Sequence, residues 1–395
     1  MSGKSSWFAM LASLILAASS APAIAEAAGP APAWTLAATY KGDIAGIDGG
    51  RGARGTRYLD AFDLAAEADL DRLIGWEGAT VHVDLLSSLG GRPNDVARTL
   101  QGVDNIEVAS RGVRLYQALI EQTLAGGAVA LLAGLYDVNA DFYASGSAGL
   151  LIAPAFGMGS ELSATGPNGP STFPSTALGF RARLTRGDGY VQAAAVNAQA
   201  GTLGNERGLR FSGRDGALLL AEAGWTGSGK VAIGAWTYTR HQPVVVPPGL
   251  SQGEGLNVSH GAYLLAEHDL AGEEGGVRHL SGFLRAGVSD GLTTPFANGL
   301  QAGILLNRVF AARPESAFSA GYNMGGLSRP YRAASPGAAP LARRESGFEL
   351  TYSDCAASWF CIQPDVQYIT DREGERDAHD ILVAILRFTL SFDLH

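Results

Sequence analysis

Apolar and polar side chains alternate along the last segment of the chain, residues 382–394. The even positions are apolar, and the odd positions from 387 onward are polar: Leu382, Ala384, Leu386, Phe388, Leu390, Phe392 and Leu394 against Arg387, Thr389, Ser391 and Asp393. Because successive side chains of a β-strand point to opposite faces, this segment predicts a strand with one apolar and one polar face. Such a strand at the end of a chain is typical of the closing strand of a membrane β-barrel.

Strand-sized runs recur through the chain, separated alternately by short and long polar connectors. The runs cover residues 34–40, 58–70, 80–86, 115–124, 129–136, 176–184, 190–198, 217–225, 231–240, 261–270, 277–287, 300–310, 317–324, 348–354, 360–369 and 382–394. The first long connector is a Gly/Arg-rich loop over residues 43–57. We therefore predict an all-β fold, a transmembrane antiparallel β-barrel of about 16 strands with both ends at the short-turn end. Counts of about 14 or 18 strands fit the same pattern.

The longest connector, residues 137–175, is the third long loop. It has few charges and many small residues: Gly146, Ser147, Gly149, Gly157, Gly159, Gly166 and Gly169. Small residues and tight turns allow a chain to pack inside a barrel, and a barrel of about 16 strands leaves an aqueous channel. We predict that this segment folds into the lumen as a constriction loop; the alternative is an ordinary external loop.

The composition agrees with a membrane barrel without requiring one. Of 395 residues, 46% are hydrophobic, 17% are charged and 53 are glycine. After the N-terminal region, the chain has no uninterrupted apolar run of about 18 residues, the length that a transmembrane helix needs. A soluble secreted protein could have the same totals.

The N-terminus predicts a secretion signal over residues 1–25. Lys4 precedes an apolar stretch that ends in a small-x-small site at Ala25, with Ala27 as a second cleavage site. A membrane anchor is the alternative, but the stretch is short for a span. Residues 26–395 then form a single β-barrel domain, and removal of Lys4 changes the formal charge from −9 to −10. An acidic chain argues against a nucleic-acid partner.

Motifs for metal binding and catalysis are absent from the sequence. Cys355 and Cys361 are too few for a Cys₄ zinc site, and the histidines lack metal-binding spacing, so we expect no metal or cofactor. In an oxidising compartment the two cysteines could form a disulfide at the base of a hairpin, or remain free. Residues 224–230 match part of a phosphate-binding loop, but Val231 replaces the required Ser or Thr. We therefore predict that the protein is not an enzyme.

Several motifs carry a resemblance to a known family. They are GLYDVNADFY at residues 134–143, FGMG at 156–159, GPNGP at 166–170, PSTALG at 174–179, WEGAT at 76–80 and WFCIQPDVQYI at 359–369. In this order they resemble the carbohydrate-selective porins of the OprB type, from about residue 34 to the C-terminus. The resemblance implies a 16-stranded channel in the outer membrane of a Gram-negative bacterium that passes monosaccharides by diffusion. One departure is the terminal His395, where many outer-membrane barrels end in an aromatic residue.

Polar side chains on the inferred lumen faces are candidate pore-lining residues. A sugar-selective channel needs hydrogen-bond donors and acceptors along its narrow region, which arginine, carboxylate and amide groups supply. The candidates are Asp137, Asn139, Arg181, Arg183, Arg285, Glu349, Gln363, Asp365, Gln367 and Arg387. Arg181 and Arg183 directly follow the predicted constriction loop. The alternative is that these groups solvate the lumen and brace its wall.

Aromatic residues on apolar faces or near strand ends predict a girdle at the lipid–water boundary. They are Trp225, Trp236, Tyr238, Tyr352, Tyr368, Phe388 and Phe392.

The sequence hypothesis is an outer-membrane porin for facilitated diffusion of small carbohydrates. The alternatives are a general porin for small solutes and a soluble secreted all-β carbohydrate-binding protein or enzyme. The expected partners are small carbohydrates and outer-membrane lipid. A homotrimer is one state that analogy with other porins allows.

Overall fold

The computed structural model describes residues 32–49, 53–204, 208–209, 213–245, 255–272, 278–333, 341–375 and 379–394. The predicted secretion signal, residues 1–25, lies outside the described residues and stays a prediction. Among the described residues, none of the helices has the length and apolar character that crossing a membrane requires.

Sixteen strands form one closed barrel. They are β1 (Trp34–Asp48), β2 (Arg54–Asp69), β3 (Ala79–Gly90), β4 (Gly112–Leu124), β5 (Val129–Tyr136), β6 (Ala177–Arg186), β7 (Gly189–Asn197), β8 (Ala217–Trp225), β9 (Gly229–Pro243), β10 (Leu256–Ala271), β11 (His279–Ser289), β12 (Phe296–Asn307), β13 (Ala317–Leu327), β14 (Arg344–Ala357), β15 (Phe360–Thr370) and β16 (Ile381–Asp393). Each strand pairs antiparallel with its sequence neighbours, and β16 pairs with β1 to close the sheet. The predicted fold class and strand number are confirmed.

The first predicted long loop, residues 43–57, is wrong. β1 continues to Asp48 and β2 begins at Arg54, so a short connector replaces the Gly/Arg-rich loop. Gly42 is needed inside the strand because a Cβ there would overlap the ring of Phe388 on β16. Asp43 faces inward, where its carboxylate pairs with Arg387. Glycine and aspartate are common in loops, and the sequence pattern therefore predicts a loop here. In the structure, Gly42 makes room for the Phe388 ring and Asp43 forms an ion pair, both within a strand.

Most other connectors alternate in length as predicted, but the β11–β12 connector, residues 290–295, is shorter than its neighbours 272–278 and 308–316. Four short α-helices lie in the connectors of the described chain. Helix α1 (Leu70–Ile74) occupies the turn between β2 and β3, where the Asp69 carboxylate accepts hydrogen bonds from two backbone N–H groups at its start. Helix α2 (Asn94–Ala97) lies in the long connector after β3, α3 (Ser160–Ser163) in that after β5, and α4 (Arg329–Arg332) in that after β13. We call residues 91–111 loop 2 and residues 137–176 loop 3.

Side chains alternate between an exposed outer face and a buried inner face of the barrel. On β16, Leu382 and Leu386 point outward with 49% and 45% exposure, whereas Ile381, Val383 and Ile385 point inward and are buried. The inner face of β16 is therefore apolar near its start and becomes polar at Arg387. These inward isoleucines and valine pack in a cluster with residues of loops 2 and 3, including Ala97, Val103 and Ile152.

Loop 3 lies inside the barrel, where it forms the largest apolar core. Its residues Val138, Phe142, Tyr143, Met158 and Leu162 pack on inward side chains of β7 to β10. The proposed membrane-boundary positions of Trp236 and Tyr238 are wrong, because both rings face inward and are buried in this core. Their apolar character serves packing against loop 3. Trp225, Tyr368 and Phe392 are exposed, each at 45%.

Candidate functional site

Loop 3 is held inside the barrel by polar side chains of distant strands. The Glu349 carboxylate on β14 accepts hydrogen bonds from the backbone N–H groups of Ile152 and Ala153, the latter at 2.9 Å. The Gln363 amide on β15 donates to the Leu150 carbonyl at 2.7 Å. Hydrogen bonds of a charged group to backbone N–H are among the stronger ones in proteins. The loop backbone therefore has its partners on the opposite wall.

Arg285 on β11 makes the most extensive contact with loop 3. It is fully buried, and its guanidinium donates to the carbonyls of Tyr143, Ala155 and Gly157 at 2.8–3.0 Å. Its guanidinium also lies 5.2 Å from the centre of the Tyr143 ring. These contacts use three donors of a group that has five, so Arg285 fixes the shape of loop 3.

Loop 2 is held in the same way. Gln367 donates to the Val103 carbonyl at 2.8 Å and lies 3.1 Å from an oxygen of Asp365. Glu345 accepts from the N–H groups of Leu100 and Gln101. Sequence reasoning missed Glu345, although it shares the inward side of β14 with Glu349 and its position could have been read from the alternation. We call Arg285, Glu345, Glu349, Gln363 and Gln367 the anchoring wall.

Glu161 of α3 is a second residue that the sequence did not single out. It is buried, accepts a hydrogen bond from the Tyr143 hydroxyl at 2.8 Å, and has a pKa raised by burial. Gly287 and Gly299 are partners in the pairing of β11 with β12, and a Cβ on either would overlap the Glu161 carboxylate. The two glycines form a recess in the wall that receives this side chain.

The two arginines that follow loop 3 have different surroundings. Arg181 is buried and forms ion pairs with Glu121 at 2.5 Å and with Asp141 of loop 3 at 3.2 Å. Arg183 is partly exposed, donates to Gln192 at 3.2 Å and stacks over the Tyr190 ring at 4.2 Å. Arg181 therefore connects the wall to loop 3, whereas Arg183 keeps part of its surface open to the lumen.

Asp137 and Asn139 shape the start of loop 3. The Asp137 carboxylate accepts from the Tyr116 hydroxyl and from the Asn139 backbone N–H, the latter at 2.8 Å. Burial raises the pKa of Asp137. The Asn139 amide donates to the carbonyls of Phe142 and Gly157 at 3.2 Å. Both residues lie at the lumen, and much of their hydrogen-bonding capacity goes to the loop itself.

Arg387 belongs to a separate cluster at the seam of the barrel. Its guanidinium donates to Asp43 at 2.6 Å and to the Asn105 side chain at 2.7 Å, and lies 3.5 Å from Asp104. Burial and the nearby Asp43 raise the pKa of Asp104. The predicted pore-lining residues thus fall into an Arg387 group, an Arg181 group, the start of loop 3 with Asp137 and Asn139, and the anchoring wall with the adjoining Asp365. Arg183 stands apart from these groups.

Four further charged residues line β1 to β3: Lys41, Asp63, Glu67 and Asp84. We call them the charged wall. All four are on the inward side, where Lys41 and Asp63 are partly exposed, Glu67 is exposed and Asp84 is buried. In the described parts of the chain, their side chains form neither hydrogen bonds nor ion pairs within 4 Å. Alternation along β2 identifies Asp63 and Glu67 as polar-face residues, but their lack of partners has no sequence signal.

A disulfide joins two strands of the barrel. Cys355 and Cys361 face each other across the β14–β15 hairpin and form a disulfide. Within the described residues, no group of histidine, cysteine, aspartate and glutamate side chains suits a metal ion.

Comparisons with known proteins agree with this architecture. The carbohydrate-selective porin family, OprB family, matches residues 53–392. Porin B of Pseudomonas aeruginosa is 24% identical over 398 residues, covering 89% of this chain and 86% of that protein. A high-pH structure of Pseudomonas putida OprB superposes with a TM-score of 0.79 at 24% identity, covering 91% of this chain and 94% of the other. A low-pH structure of the same protein gives 0.58 at 19% identity, covering 91% and 93%.

The likeness to the solved structures shows the fold, and the family match extends beyond it. The match spans nearly the whole described barrel, including both inward loops and the anchoring wall. The soluble all-β alternative is therefore overturned, since the outer face of this closed barrel is apolar and exposed. The chain belongs to the carbohydrate-selective porin, OprB family, and is a channel for carbohydrates in the outer membrane of a Gram-negative bacterium.

Proposed function

We propose that this channel passes monosaccharides by energy-independent diffusion between loop 3 and the charged wall. The observation that carries the proposal is the course of loop 3. Its backbone carbonyls or N–H groups contact Lys230 on β9, Arg285 on β11, Glu349 on β14 and Gln363 on β15. Loop 3 therefore covers that side of the lumen. On β1 to β3, the inward residues Ala45, Leu59 and Leu86 are also buried in clusters with residues of loops 2 and 3. The part of this wall that carries Lys41, Asp63 and Glu67 is not buried.

The chemistry of this passage suits a neutral, hydroxyl-rich solute. Lys41 offers donors, and Asp63 and Glu67 offer acceptors, on a wall where loop 3 does not use them. Arg183 contributes donors from β6, since part of its guanidinium surface is exposed. Such groups can replace the water that a sugar loses on entering a narrow channel. In this proposal Arg181 acts indirectly by holding Asp141 of loop 3.

The test is uptake of labelled solutes into proteoliposomes that contain the purified mature protein. Glucose should enter faster than a disaccharide and faster than a non-sugar solute of similar size. Arg183→Gln should slow glucose uptake, whereas Arg186→Gln, on the outer side of the same strand, should not. Equal rates for sugars and non-sugars of one size would instead support the general porin.

Homotrimer formation is the second part of the proposal, supported by analogy with other porins. The mass of the protein–detergent complex, corrected for bound detergent, measures it directly. A mass of one chain would reject the trimer and leave the channel function untouched.

A further inference from the structure

Carboxylates outnumber cations beside the passage. Arg387 and Arg181 each lie between two carboxylates already. The buried guanidinium of Arg114, on β4 beside the charged wall, donates to the Ser110 and Pro174 carbonyls. Lys41 is the only cation of the charged wall itself. The remaining groups, Asp63, Glu67 and Asp84, are acidic and have no charged partner within 4 Å in the described structure. The passage therefore has a negative potential, which attracts cations and repels anions.

Asp84 is the residue of this acidic region that is best suited to bind a cation. The residue is only 7% exposed, yet its Oδ1 atom is buried without a hydrogen-bond partner among the described residues. Burying a carboxylate oxygen without a donor is unfavourable, so the position suits a ligand that brings N–H donors and positive charge.

The neighbours of Asp84 do not supply those donors. Asp63 lies two residues along β2 from Ala65, the partner of Asp84 in the β2–β3 pairing. Gln117 lies opposite Asp84 on β4 and accepts a hydrogen bond from the backbone N–H of Asp137. Asp63 and Asp137 are both acidic. The Tyr116 hydroxyl donates to Asp137. Lys41, on β1, interacts electrostatically with Arg387, Asp63 and Asp43. His82, on the inward side of β3, has a buried Nε2 that also lacks a partner among the described residues.

We propose that Asp84, with Asp63 and Asp137, binds the ammonium group of an amino sugar as it passes. This proposal rests on the proposed function and adds a substrate class to it: monosaccharides that carry a protonated amine. An ammonium group brings three donors and one positive charge, while the hydroxyls of the sugar meet the same wall as those of a neutral sugar.

The experiment compares glucosamine, glucose and glucuronate in proteoliposomes containing the full mature chain, at a pH that keeps the amine protonated. Glucosamine uptake should exceed glucose uptake about two- to fivefold, the ratio expected for one pair of unit charges at close range in water. Glucuronate should be slowest. Reversal potentials in a KCl gradient should show preference for potassium over chloride.

Two variants locate the effect. Asp84→Asn should reduce the glucosamine-to-glucose uptake ratio towards one. Asp63→Asn should act in the same direction, which keeps the test valid if the first variant misfolds. The matched control is Asp269→Asn, an exposed carboxylate at the short-turn end of β10, and it should keep the ratio.

The outcomes separate this proposal from the one on which it rests. A glucosamine-to-glucose ratio of one, or chloride preference, with glucose uptake intact would overturn the amino-sugar site alone. A ratio that survives both substitutions would overturn its assignment to this cluster. Absence of glucose uptake would refute the proposed function itself.

Discussion

The anchoring wall and the charged wall face the same lumen with similar residue types, but they do different things. In the anchoring wall, Arg285 and Glu349 bind backbone groups of loop 3 and are almost completely buried. In the charged wall, Lys41 and Asp63 are partly exposed and have no partner in the described structure. An inward polar side chain can therefore either hold a loop or face a solute, and hydrogen bonds to a loop distinguish the two.

Glu349→Ala should have the largest effect on this difference. It leaves two backbone N–H groups of loop 3 without their acceptor, which costs together about 2–6 kcal/mol. We expect loop 3 to leave the β14 wall, so that single-channel conductance in planar bilayers rises and discrimination between mono- and disaccharides falls.

The control for this prediction is Glu67→Ala, which removes a carboxylate of the charged wall that contacts neither loop in the described structure. This variant should not show the rise in single-channel conductance that we expect for Glu349→Ala. If both variants gave the same conductance, the distinction between the two walls would be wrong.

Gly299→Ala should have the next largest effect. The added methyl group would overlap the Glu161 carboxylate and displace it from its recess. Overpacking of this kind costs about 1–3 kcal/mol. We expect a lower melting temperature in detergent and more frequent conductance fluctuations. Gly213→Ala is the control, since a Cβ there meets no atom within 4 Å; a similar loss in both variants would contradict the recess.

Glu161 should also make the position of loop 3 depend on pH. Burial raises the pKa of this carboxyl in the folded protein, although the Tyr143 hydroxyl and Arg285 act in the opposite direction. For an acid whose folded pKa lies above its unfolded value, the stabilisation is complete below the unfolded pKa and is lost as the pH rises through the folded pKa. Each tenfold ratio between the folded and unfolded acid dissociation constants corresponds to about 1.4 kcal/mol.

The fluctuations of the channel should therefore increase as the pH rises through this window. Single-channel recordings over a pH series measure this, and Glu161→Gln should flatten the profile. A pH profile that persists unchanged in the glutamine variant would assign the effect to another group.

Lys41→Met should have the smallest effect. A unit charge at close range in water contributes about 1 kcal/mol, so the potassium-to-chloride permeability ratio should rise by no more than about fivefold. Conductance and melting temperature should stay close to those of the parent, because Lys41 holds neither loop in the described structure. A large loss of stability would show that Lys41 helps to hold a loop, as the residues of the anchoring wall do.

Much of the barrel could be predicted because its physical rules are local. Alternation fixes which side of a strand faces lipid, and it located all sixteen strands, with Val129–Tyr136 and Ala217–Trp225 matching to the residue. The prediction for the first connector failed because Gly42 and Asp43 contact residues of β16, hundreds of residues away in the chain. A window along the sequence does not contain those partners.

The candidate site was less predictable for the same reason. Alternation placed Arg285, Glu349 and Gln363 on the inward face, but only the course of loop 3 decides what they bind. The sequence pattern predicts that Trp236 faces the membrane, whereas its ring packs against loop 3 inside the barrel. For Asp84 the informative feature is the lack of a contact, because its buried Oδ1 atom has no hydrogen-bond partner among the described residues. Sequence alternation does not reveal such a lack.

The Arg387–Asp43 ion pair has a consequence for assembly of the barrel. Its two members belong to the last and the first strand, so the pair can form only when the two ends of the sheet meet. Until then, each would have to stay in contact with water, because an isolated buried charge is costly. The same guanidinium also donates a hydrogen bond to the Asn105 side chain of loop 2. Closing the seam and placing loop 2 are therefore coupled steps, and a chain that lacked its final strand would lose both.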